Sequence, residues 1–438
     1  MNKDTLNQDL LGFLAASPTP FHTVKEMQTR LLAAGFIRLD ESEAWPLESG
    51  NLLPGKYLIT RNDSSIIALV IGTESLQDTG IRLVGAHTDS PCLKVKPQPE
   101  IRNHTYLQLG VEVYGGVLLN PWYDRDLSLA GRVTLKGKTG VYSRLVDFRR
   151  PLAVIPSLAI HLDREVNNQR SINPQKDIPP ILLQTEKDLT LRDLLREELG
   201  DNTPGGDEIL SFELSFYDTQ PPALIGARED FIASARLDNL LSCHAGLTSL
   251  MKSDGRVSSL LVCNDHEEVG SASTSGAQGP FLASVLERLI SDAGERTRIL
   301  ARSMLISADN AHGIHPNYAD RHDANHGPLL NRGPVIKINA NQRYATNSVT
   351  EGLFRAIAKE AGIECQTFVT RTDMACGSTI GPLTATEIGV PTLDIGLATF
   401  GMHSIRELCG SHDPLLLHQV LTRFFNQSSL STNRFIDQ

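Results

Sequence analysis

The sequence contains few cysteines, and none of them form a close pair. Six occur among 438 residues, without any C-x-x-C spacing. This pattern argues against a disulfide framework and against zinc held by thiolates, and it suits buried thiols in a reducing compartment. The cysteines are Cys92, Cys243, Cys263, Cys365, Cys376 and Cys409.

An excess of positive charge and a long apolar run are also missing. The formal net charge is −10, which argues against nucleic acid or an anionic membrane as the main partner. No run approaches the roughly 18 apolar residues that a membrane span requires. The first 17 residues carry Asp4 and Asp9 within an apolar periodicity, so they predict a helix and not a secretory signal. We expect a soluble, cytoplasmic protein.

The length of the chain predicts two domains, because single hydrophobic cores stop growing at about 250 to 300 residues. Helix and strand periodicities alternate at both ends of the chain, whereas the middle is mostly strand-like. We therefore predict one mixed α/β domain, with a sheet flanked by helices, formed by residues 1–94 and 230–438. A β-rich domain, residues 95–229, is inserted into it. We find no internal repeat and no low-complexity tract.

The adjacent carboxylates Glu267 and Glu268 are the most informative feature that is present. They follow the apolar, strand-like run Ser259 to Cys263. One carboxylate of such a pair can ligate a metal ion while its neighbour accepts a proton from water, which is typical of a metallohydrolase. A solvated turn at the end of a strand is the alternative interpretation.

Four further side chains stand where a predicted strand ends or a predicted helix begins. In open α/β sheets, ligands collect outside the carboxyl ends of the strands, so these residues can converge with the glutamate pair. They are His87, Asp238, Asp309 and His403.

Together with Glu268, these four residues form the donor set that a two-metal site needs. Such a site holds ions about 3.5 to 4 Å apart, bridged by a shared carboxylate, for which Asp238 is our candidate. Two divalent ions would balance three carboxylates and one hydroxide. Glu267 would then be left as the general base.

Each member of this set also has a structural interpretation. A histidine after a strand can simply be hydrogen-bonded, Asp238 can cap the helix that follows it, and Asp309 can stabilise a turn. By spacing alone, His266 competes as a ligand. Only the combination of these residues favours a metal site over the structural interpretations.

Eight short motifs resemble those of the aspartyl aminopeptidase family of dizinc exopeptidases, and the resemblance runs from about residue 10 to residue 425. They are His87-Thr88-Asp89-Ser90-Pro91, Asn120-Pro121-Trp122-Tyr123-Asp124-Arg125-Asp126-Leu127, Ala159-Ile160-His161-Leu162, Arg236-Leu237-Asp238-Asn239, Asp265-His266-Glu267-Glu268-Val269-Gly270, Asp309-Asn310-Ala311-His312, Asn341-Gln342-Arg343-Tyr344-Ala345 and Met402-His403-Ser404-Ile405-Arg406-Glu407.

The resemblance implies a zinc-exopeptidase-like fold that acts on peptides with a free N-terminus, preferably Asp or Glu. It implies two Zn²⁺ ions per subunit, with Glu267 as the base; Co²⁺ or Mn²⁺ would accept the same ligands. It implies that the β-rich insert serves dimerisation and that dimers build a homododecamer. The implied zinc ligands are His87, Asp238, Glu268, Asp309 and His403, and the implied substrate contacts are His161 from a neighbouring subunit, His312, Lys337 and Tyr344.

The substrate contacts have structural alternatives too. Lys337 stands in the apolar alternation Val335 to Ile338, where a lysine normally points to solvent, although it could face an acidic substrate side chain. His161 could be a buried histidine, and His312 and Tyr344 could be packing residues. We expect an acid-preferring dizinc aminopeptidase; the alternatives are a broader-specificity aminopeptidase of the same fold and a non-catalytic peptide-binding assembly protein.

Overall fold

The structure is a computed structural model that describes residues 2–48, 51–200 and 207–430. These residues form two compact units. Unit 1 comprises the described residues up to Asp89, those from Ala223 to Met402 and those from Glu407 onward. Unit 2 comprises those from Ser90 to Pro222 together with His403–Arg406.

The helices are α1 (Lys3–Ala16), α2 (Pro20–Ala33), α3 (Leu76–Thr79), α4 (Leu191–Leu199), α5 (Leu237–Leu250), α6 (Phe281–Leu289), α7 (Ala293–Leu300), α8 (Ser348–Glu360), α9 (Ile380–Ile388) and α10 (Asp413–Phe425). The strands are β1 (Ile37–Arg38), β2 (Leu47–Glu48), β3 (Asn51–Leu52), β4 (Gly55–Arg61), β5 (Ser65–Ile71), β6 (Arg82–His87), β7 (Cys92–Asn103), β8 (Tyr106–Tyr114), β9 (Leu127–Gly137), β10 (Gly140–Asp147), β11 (Ile181–Gln184), β12 (Glu208–Asp218), β13 (Ala223–Ile225), β14 (Phe231–Ser234), β15 (Ser259–Asn264), β16 (Met304–Ala308), β17 (Ala311–His312), β18 (Val335–Ile338), β19 (Gln366–Val369), β20 (Thr392–Gly396), β21 (Ala398–Phe400) and β22 (Glu407–Gly410).

Unit 1 is built on a mixed sheet with the strand order β1-β4-β5-β15-β6-β16-β20-β18-β19. The four strands β15, β6, β16 and β20 run parallel to one another. Their carboxyl ends therefore meet at one edge of the sheet. β6 ends at His87, β15 ends shortly before the glutamate pair, and β16 ends directly before Asp309.

Both faces of this sheet are covered. Along β5, Ile66, Ala68 and Val70 pack into one apolar cluster with α1, α2, α5 and α10, whereas Ile67 and Leu69 pack into another with α6 and α7. The strict alternation follows from the two-residue repeat of a strand. Because neither face meets water, β5 and β15 are continuous apolar runs in the sequence.

A smaller sheet of unit 1 has the order β13-β14-β22-β21-β17. Its strand β14 pairs antiparallel with β22, so that Ser234 lies opposite Glu407. β14 leads into α5, which begins with Leu237 and Asp238. This sheet therefore sets where α5 starts.

Unit 2 contains an antiparallel sheet in the order β10-β9-β12-β7-β8-β11. Helix α4 buries Leu191, Leu195 and Leu199 in its core, as expected for apolar residues four apart on one helix face. Ile405 belongs to the same core, which explains why His403–Arg406 groups with this unit although we predicted it within the α/β domain.

The predicted fold class is confirmed, since a large mixed sheet and a separate antiparallel sheet are both present. Among the elements of seven or more residues, the sequence analysis did not predict β4, β7 or α7. β7 contains Pro97 and Pro99, which interrupt the strand pattern where its register with β8 shifts. Helix α7 buries only Ile299 and Leu300, which are too few to produce a helical periodicity of apolar residues in the sequence. Within the described ranges, no helix is long and apolar enough to cross a bilayer.

Candidate metal centre

His87 lies at the centre of the site, at the carboxyl end of β6, and it is 1% exposed. Its Nδ1 atom lies 3.0 Å from the backbone carbonyl oxygen of Asp89. Because a carbonyl only accepts hydrogen bonds, Nδ1 carries the proton in the neutral ring and the lone pair is on Nε2.

Three carboxylates surround this Nε2 atom. Asp238 Oδ1 lies 3.4 Å away, Asp309 Oδ1 lies 3.5 Å away and Glu267 Oε2 lies 4.0 Å away. Burial lowers the pKa of His87, but the neighbouring carboxylates of Asp238, Asp309 and Asp89 outweigh it and raise the pKa well above its usual value. So much negative charge around one imidazole is the environment that a metal cation stabilises.

Two groups of donor atoms in unit 1 are close enough to share an ion. One consists of His87, Asp238 and Asp309, and the other of His87, Glu267 and Glu268; the donor atoms of each group lie within 4.8 Å of one another. Imidazole nitrogens and carboxylate oxygens are the ligands of catalytic zinc sites. The residues present therefore fit a hydrolytic zinc centre.

The glutamate pair lies in a turn directly after β15. His266 adopts a left-handed backbone with φ 65°, and a short 3₁₀ turn spans Glu267–Val269. Burial raises the pKa of Glu267 to about 7, with repulsion from Asp309, Asp89 and Asp238 acting in the same direction and His87 opposing it. Burial and the charge of Asp238 raise the pKa of Glu268 well above its usual value.

Asp238 occupies the irregular start of α5 and is 3% exposed. Its φ and ψ, −82° and 107°, are not helical. Its backbone N–H donates to Glu407 Oε2 over 2.9 Å, and the side chain of the next residue, Asn239, donates to the carbonyl oxygen of Ala308 over 2.8 Å. The backbone of Asp238 is thereby tied to β22 and to the end of β16.

Lys337 points inward from β18 and is 2% exposed, in contrast to the usual orientation of a lysine. Its Nζ atom donates to Asp309 Oδ2 over 3.2 Å and to the carbonyl oxygen of Asn310 over 2.9 Å. It also lies 5.2 Å from the centre of the Tyr344 ring. Lys337 therefore contacts Oδ2 of the candidate ligand Asp309, whereas Oδ1 of the same carboxylate is the oxygen near His87.

The other predicted residues have varied surroundings. His312 lies at the end of β17, and its pKa is lowered by desolvation and by the charge of Lys337. Tyr344 is buried, and burial raises the pKa of its hydroxyl. His266 faces Ser273 and Asp265, and it belongs to neither donor group of unit 1.

Two predicted residues belong to unit 2. His161 is exposed in a turn. His403 has a left-handed backbone, with φ 68°, and its Nδ1 atom lies 3.1 Å from the carbonyl oxygen of Gly116. In the neutral ring that contact places the proton on Nδ1 and the lone pair on Nε2.

Asp89 lies in the site, but the sequence analysis assigned no role to it. It is 1% exposed, and its two carboxylate oxygens accept hydrogen bonds from the backbone N–H groups of Glu267 and Glu268, each over 3.1 Å. Its position two residues after His87, directly beyond a buried strand, was the available signal.

Comparison with known proteins identifies the family. The family model described as "Aminopeptidase I zinc metalloprotease (M18)" matches residues 13–425. This chain belongs to the M18 family of aminopeptidases. It is a zinc metallo-aminopeptidase, an exopeptidase that hydrolyses peptide bonds, and the resemblance drawn from its motifs is confirmed.

Similar M18 proteins span nearly the whole chain. A "Probable M18 family aminopeptidase 2" of Azotobacter vinelandii is 59% identical over 428 residues, which are 97% of this chain and 99% of the relative. A protein of the same description from Pseudomonas aeruginosa is 58% identical over the same share of each chain.

Solved structures agree with this assignment. The chain in the "Cryo-EM structure of the Ape4 and Nbr1 complex" has a TM-score of 0.92 and 38% identity, covering 97% of this M18 aminopeptidase and 86% of that chain. The "Structure of S. cerevesiae mApe1 dodecamer" has a TM-score of 0.83 and 28% identity, covering 97% and 96% of the respective chains.

Proposed function

We propose that this M18 aminopeptidase uses two zinc ions to remove N-terminal residues from peptides and that it prefers Asp and Glu at that position. The observation that carries the proposal is the position of His87 Nε2, 3.4 Å and 3.5 Å from the carboxylates of Asp238 and Asp309. An imidazole nitrogen and two carboxylates at these separations form a donor set that a divalent cation between them would hold together.

One ion would be held by His87, Asp309 and Asp238, and the other by Glu268, His403 and Asp238. Asp238 is then the shared carboxylate, at the irregular start of α5, whose next residue is hydrogen-bonded to the end of β16. Three carboxylates and one hydroxide balance two divalent charges. Cobalt or manganese would accept the same nitrogen and oxygen donors.

Bound zinc supplies the Lewis acidity that polarises the scissile carbonyl. Glu267 removes the proton of the attacking water and then returns it to the leaving amine. The hydrogen bond from its backbone N–H to Asp89 fixes the turn that carries it.

His312 and Tyr344 are proposed to donate hydrogen bonds to the substrate or to the oxyanion of the tetrahedral intermediate. Desolvation and the Lys337 charge keep His312 neutral, so that it donates through one ring nitrogen only. Tyr344 keeps its phenolic proton because burial raises its pKa, and it is therefore a hydrogen-bond donor at every physiological pH.

The acidic preference is assigned to Lys337. An ammonium group has three N–H donors, and Asp309 and Asn310 take two of them. The third would meet the carboxylate of an Asp or Glu side chain. In a water-poor pocket a charge-assisted hydrogen bond of this kind is about twice as strong as a neutral one.

Assembly is proposed to complete the site. The turn that carries His161 exposes three apolar side chains, with 59% of Leu158, 46% of Ile160 and 74% of Leu162 open to solvent. Exposed apolar clusters of this kind mark protein interfaces. We propose that residues 95–229 form the dimerisation domain, that dimers build a dodecamer, and that His161 reaches the site of a neighbouring subunit.

A series of peptides that differ only in their first residue tests the specificity. Hydrolysis should be fastest for Asp and Glu, slower for the isosteric Asn and Gln, and slowest for Leu, and an acetylated Asp peptide should resist cleavage. Equal rates for Asp, Asn and Leu would contradict the acidic preference and support a broader aminopeptidase. Binding of every peptide without cleavage of any would support a peptide-binding assembly protein instead.

A further inference from the structure

Glu407 is a buried carboxylate that the proposed reaction does not use. It begins β22, it is 2% exposed, and it lies opposite Ser234 of β14. Removing a carboxylate from water costs several kcal/mol by order of magnitude unless hydrogen bonds compensate it. A glutamate in this position therefore needs a structural or functional reason.

Its contact with Asp238 supplies that reason. Glu407 Oε2 accepts the backbone N–H of Asp238 over 2.9 Å. Asp238 precedes the regular part of α5, where backbone N–H groups have no partner within the helix. A carboxylate at a helix start is also favoured by the helix dipole.

Asn239, the residue after Asp238, is held by a hydrogen bond to the end of β16. Asn239 donates through Nδ2 to the carbonyl oxygen of Ala308, the last residue of β16, and Asp309 follows directly. The two bonds fix the backbone of Asp238 between β22 and the strand end that carries Asp309. They therefore determine where the Asp238 carboxylate lies relative to His87 Nε2, 3.4 Å away.

We propose that Glu407 is a positioning residue for the shared ligand Asp238. It fixes the backbone of Asp238 so that the carboxylate presents its oxygens to both ions, and it contacts neither ion nor substrate. The inference rests on the proposed function, in which Asp238 binds zinc. Groups that orient metal ligands contribute about 10- to 100-fold to metal affinity or activity.

Three variants of Glu407 separate this role from a purely structural one. Glu407→Gln keeps an oxygen that can accept the Asp238 N–H, Glu407→Asp keeps the charge but withdraws the oxygen by one methylene, and Glu407→Leu removes the acceptor. We expect zinc affinity, measured by competition with a chelator, to fall less than about threefold for Gln and about 10- to 100-fold for Asp and Leu. Excess zinc should restore kcat in the Asp variant with an unchanged KM.

Asp413→Asn is the matched control. Asp413 is also buried, and it also accepts backbone N–H groups, from Asn331 and Gly333. This variant should lower the melting temperature of the metal-free protein while its zinc affinity stays that of the wild type. Wild-type zinc affinity in Glu407→Asp, with only a lower melting temperature, would overturn the proposal. The Asp variant alone decides the question if Glu407→Leu does not fold.

Asp238→Asn, measured in parallel, distinguishes the positioning role of Glu407 from the ligand role of Asp238. Loss of zinc in Asp238→Asn together with wild-type affinity in Glu407→Asp would overturn the positioning role alone. Retention of both ions in Asp238→Asn would overturn the ligand assignment in the proposed function.

Discussion

Asp89 joins a candidate metal ligand to the candidate base. Its Oδ1 atom accepts the backbone N–H of Glu267 over 3.1 Å and lies 3.4 Å from Nδ1 of His87. One buried carboxylate therefore orients both the imidazole at the end of β6 and the turn after β15. The two strands are parallel neighbours, which brings these residues together although 178 positions separate them in the chain.

Replacing Asp89 should weaken the whole centre. In Asp89→Asn, one oxygen becomes an NH₂ group that cannot accept a backbone N–H, so either Glu267 or Glu268 loses its partner. We expect zinc affinity and kcat each to fall about 10- to 100-fold. Chelator competition and steady-state kinetics measure the two effects. Asp188→Asn, at a side chain that is 96% exposed, is the control and should leave both unchanged; a wild-type kcat in Asp89→Asn would contradict the role of Asp89.

Glu267→Gln should separate metal binding from proton transfer. The amide cannot take a proton from water, so kcat should fall about 10²- to 10⁴-fold. Zinc content should remain that of the wild type, because Glu267 is not one of the five proposed ligands. Metal analysis and kinetics on the same preparation provide the measurement, and turnover near the wild-type value would show that another group is the base.

Lys337→Met should change specificity as well as rate. The substitution removes the ammonium donor to Asp309 as well as the proposed contact with the substrate, so every substrate should be cleaved more slowly. Peptides beginning with Asp should lose about 10- to 150-fold more in kcat/KM than those beginning with Leu, because a charge-assisted hydrogen bond contributes about 1.5 to 3 kcal/mol. Equal losses for both peptides would mean that Lys337 orients Asp309 and does not read the side chain.

The acid stability of unit 1 should depend on His418, a buried residue of α10 that is not part of the candidate site. Burial lowers its pKa to about 4, with the charges of His244 and Lys252 acting in the same direction. Its Nδ1 atom lies 3.1 Å from the hydroxyls of both Thr248 and Ser249. The unfolded chain therefore takes up a proton near pH 6.5, whereas the folded chain does so only near pH 4.

The sign of this effect follows from the lowered pKa. The contribution of His418 to stability is complete above pH 6.5 and is lost as the pH falls towards 4, by about 1 to 2 kcal/mol after allowance for partial solvation. Denaturant unfolding of metal-free protein at pH 7 and pH 4.5 should show a smaller acid-induced loss in His418→Gln than in the wild type. His244, whose pKa is also lowered by burial, is present in both proteins. The same loss in both would contradict the assignment.

The site was predictable where its residues follow buried strands directly. His87, Asp309 and the glutamate pair each stand at the carboxyl end of an apolar run, and parallel strands bring such ends together. The mixed α/β fold follows from the same local patterns. The domain roles and the individual ligand assignments remain predictions, which the variants above address.

The sequence could not indicate contacts that depend on pairing between distant strands. Glu407 reaches Asp238 because β22 pairs with β14, two short strands whose register no local pattern specifies. Lys337 points inward because Asp309 and the carbonyl of Asn310 are there to accept from it, although its sequence context is typical of a solvent-facing lysine.

Zinc titration of the metal-free enzyme, with activity on an Asp-leading peptide followed in the same samples, tests the central claim most directly. The account predicts that activity rises to a plateau at two zinc ions per subunit and that Asp238→Asn shows no such plateau. Full activity at one ion per subunit, or a wild-type titration curve for Asp238→Asn, would contradict a dizinc centre built on this carboxylate.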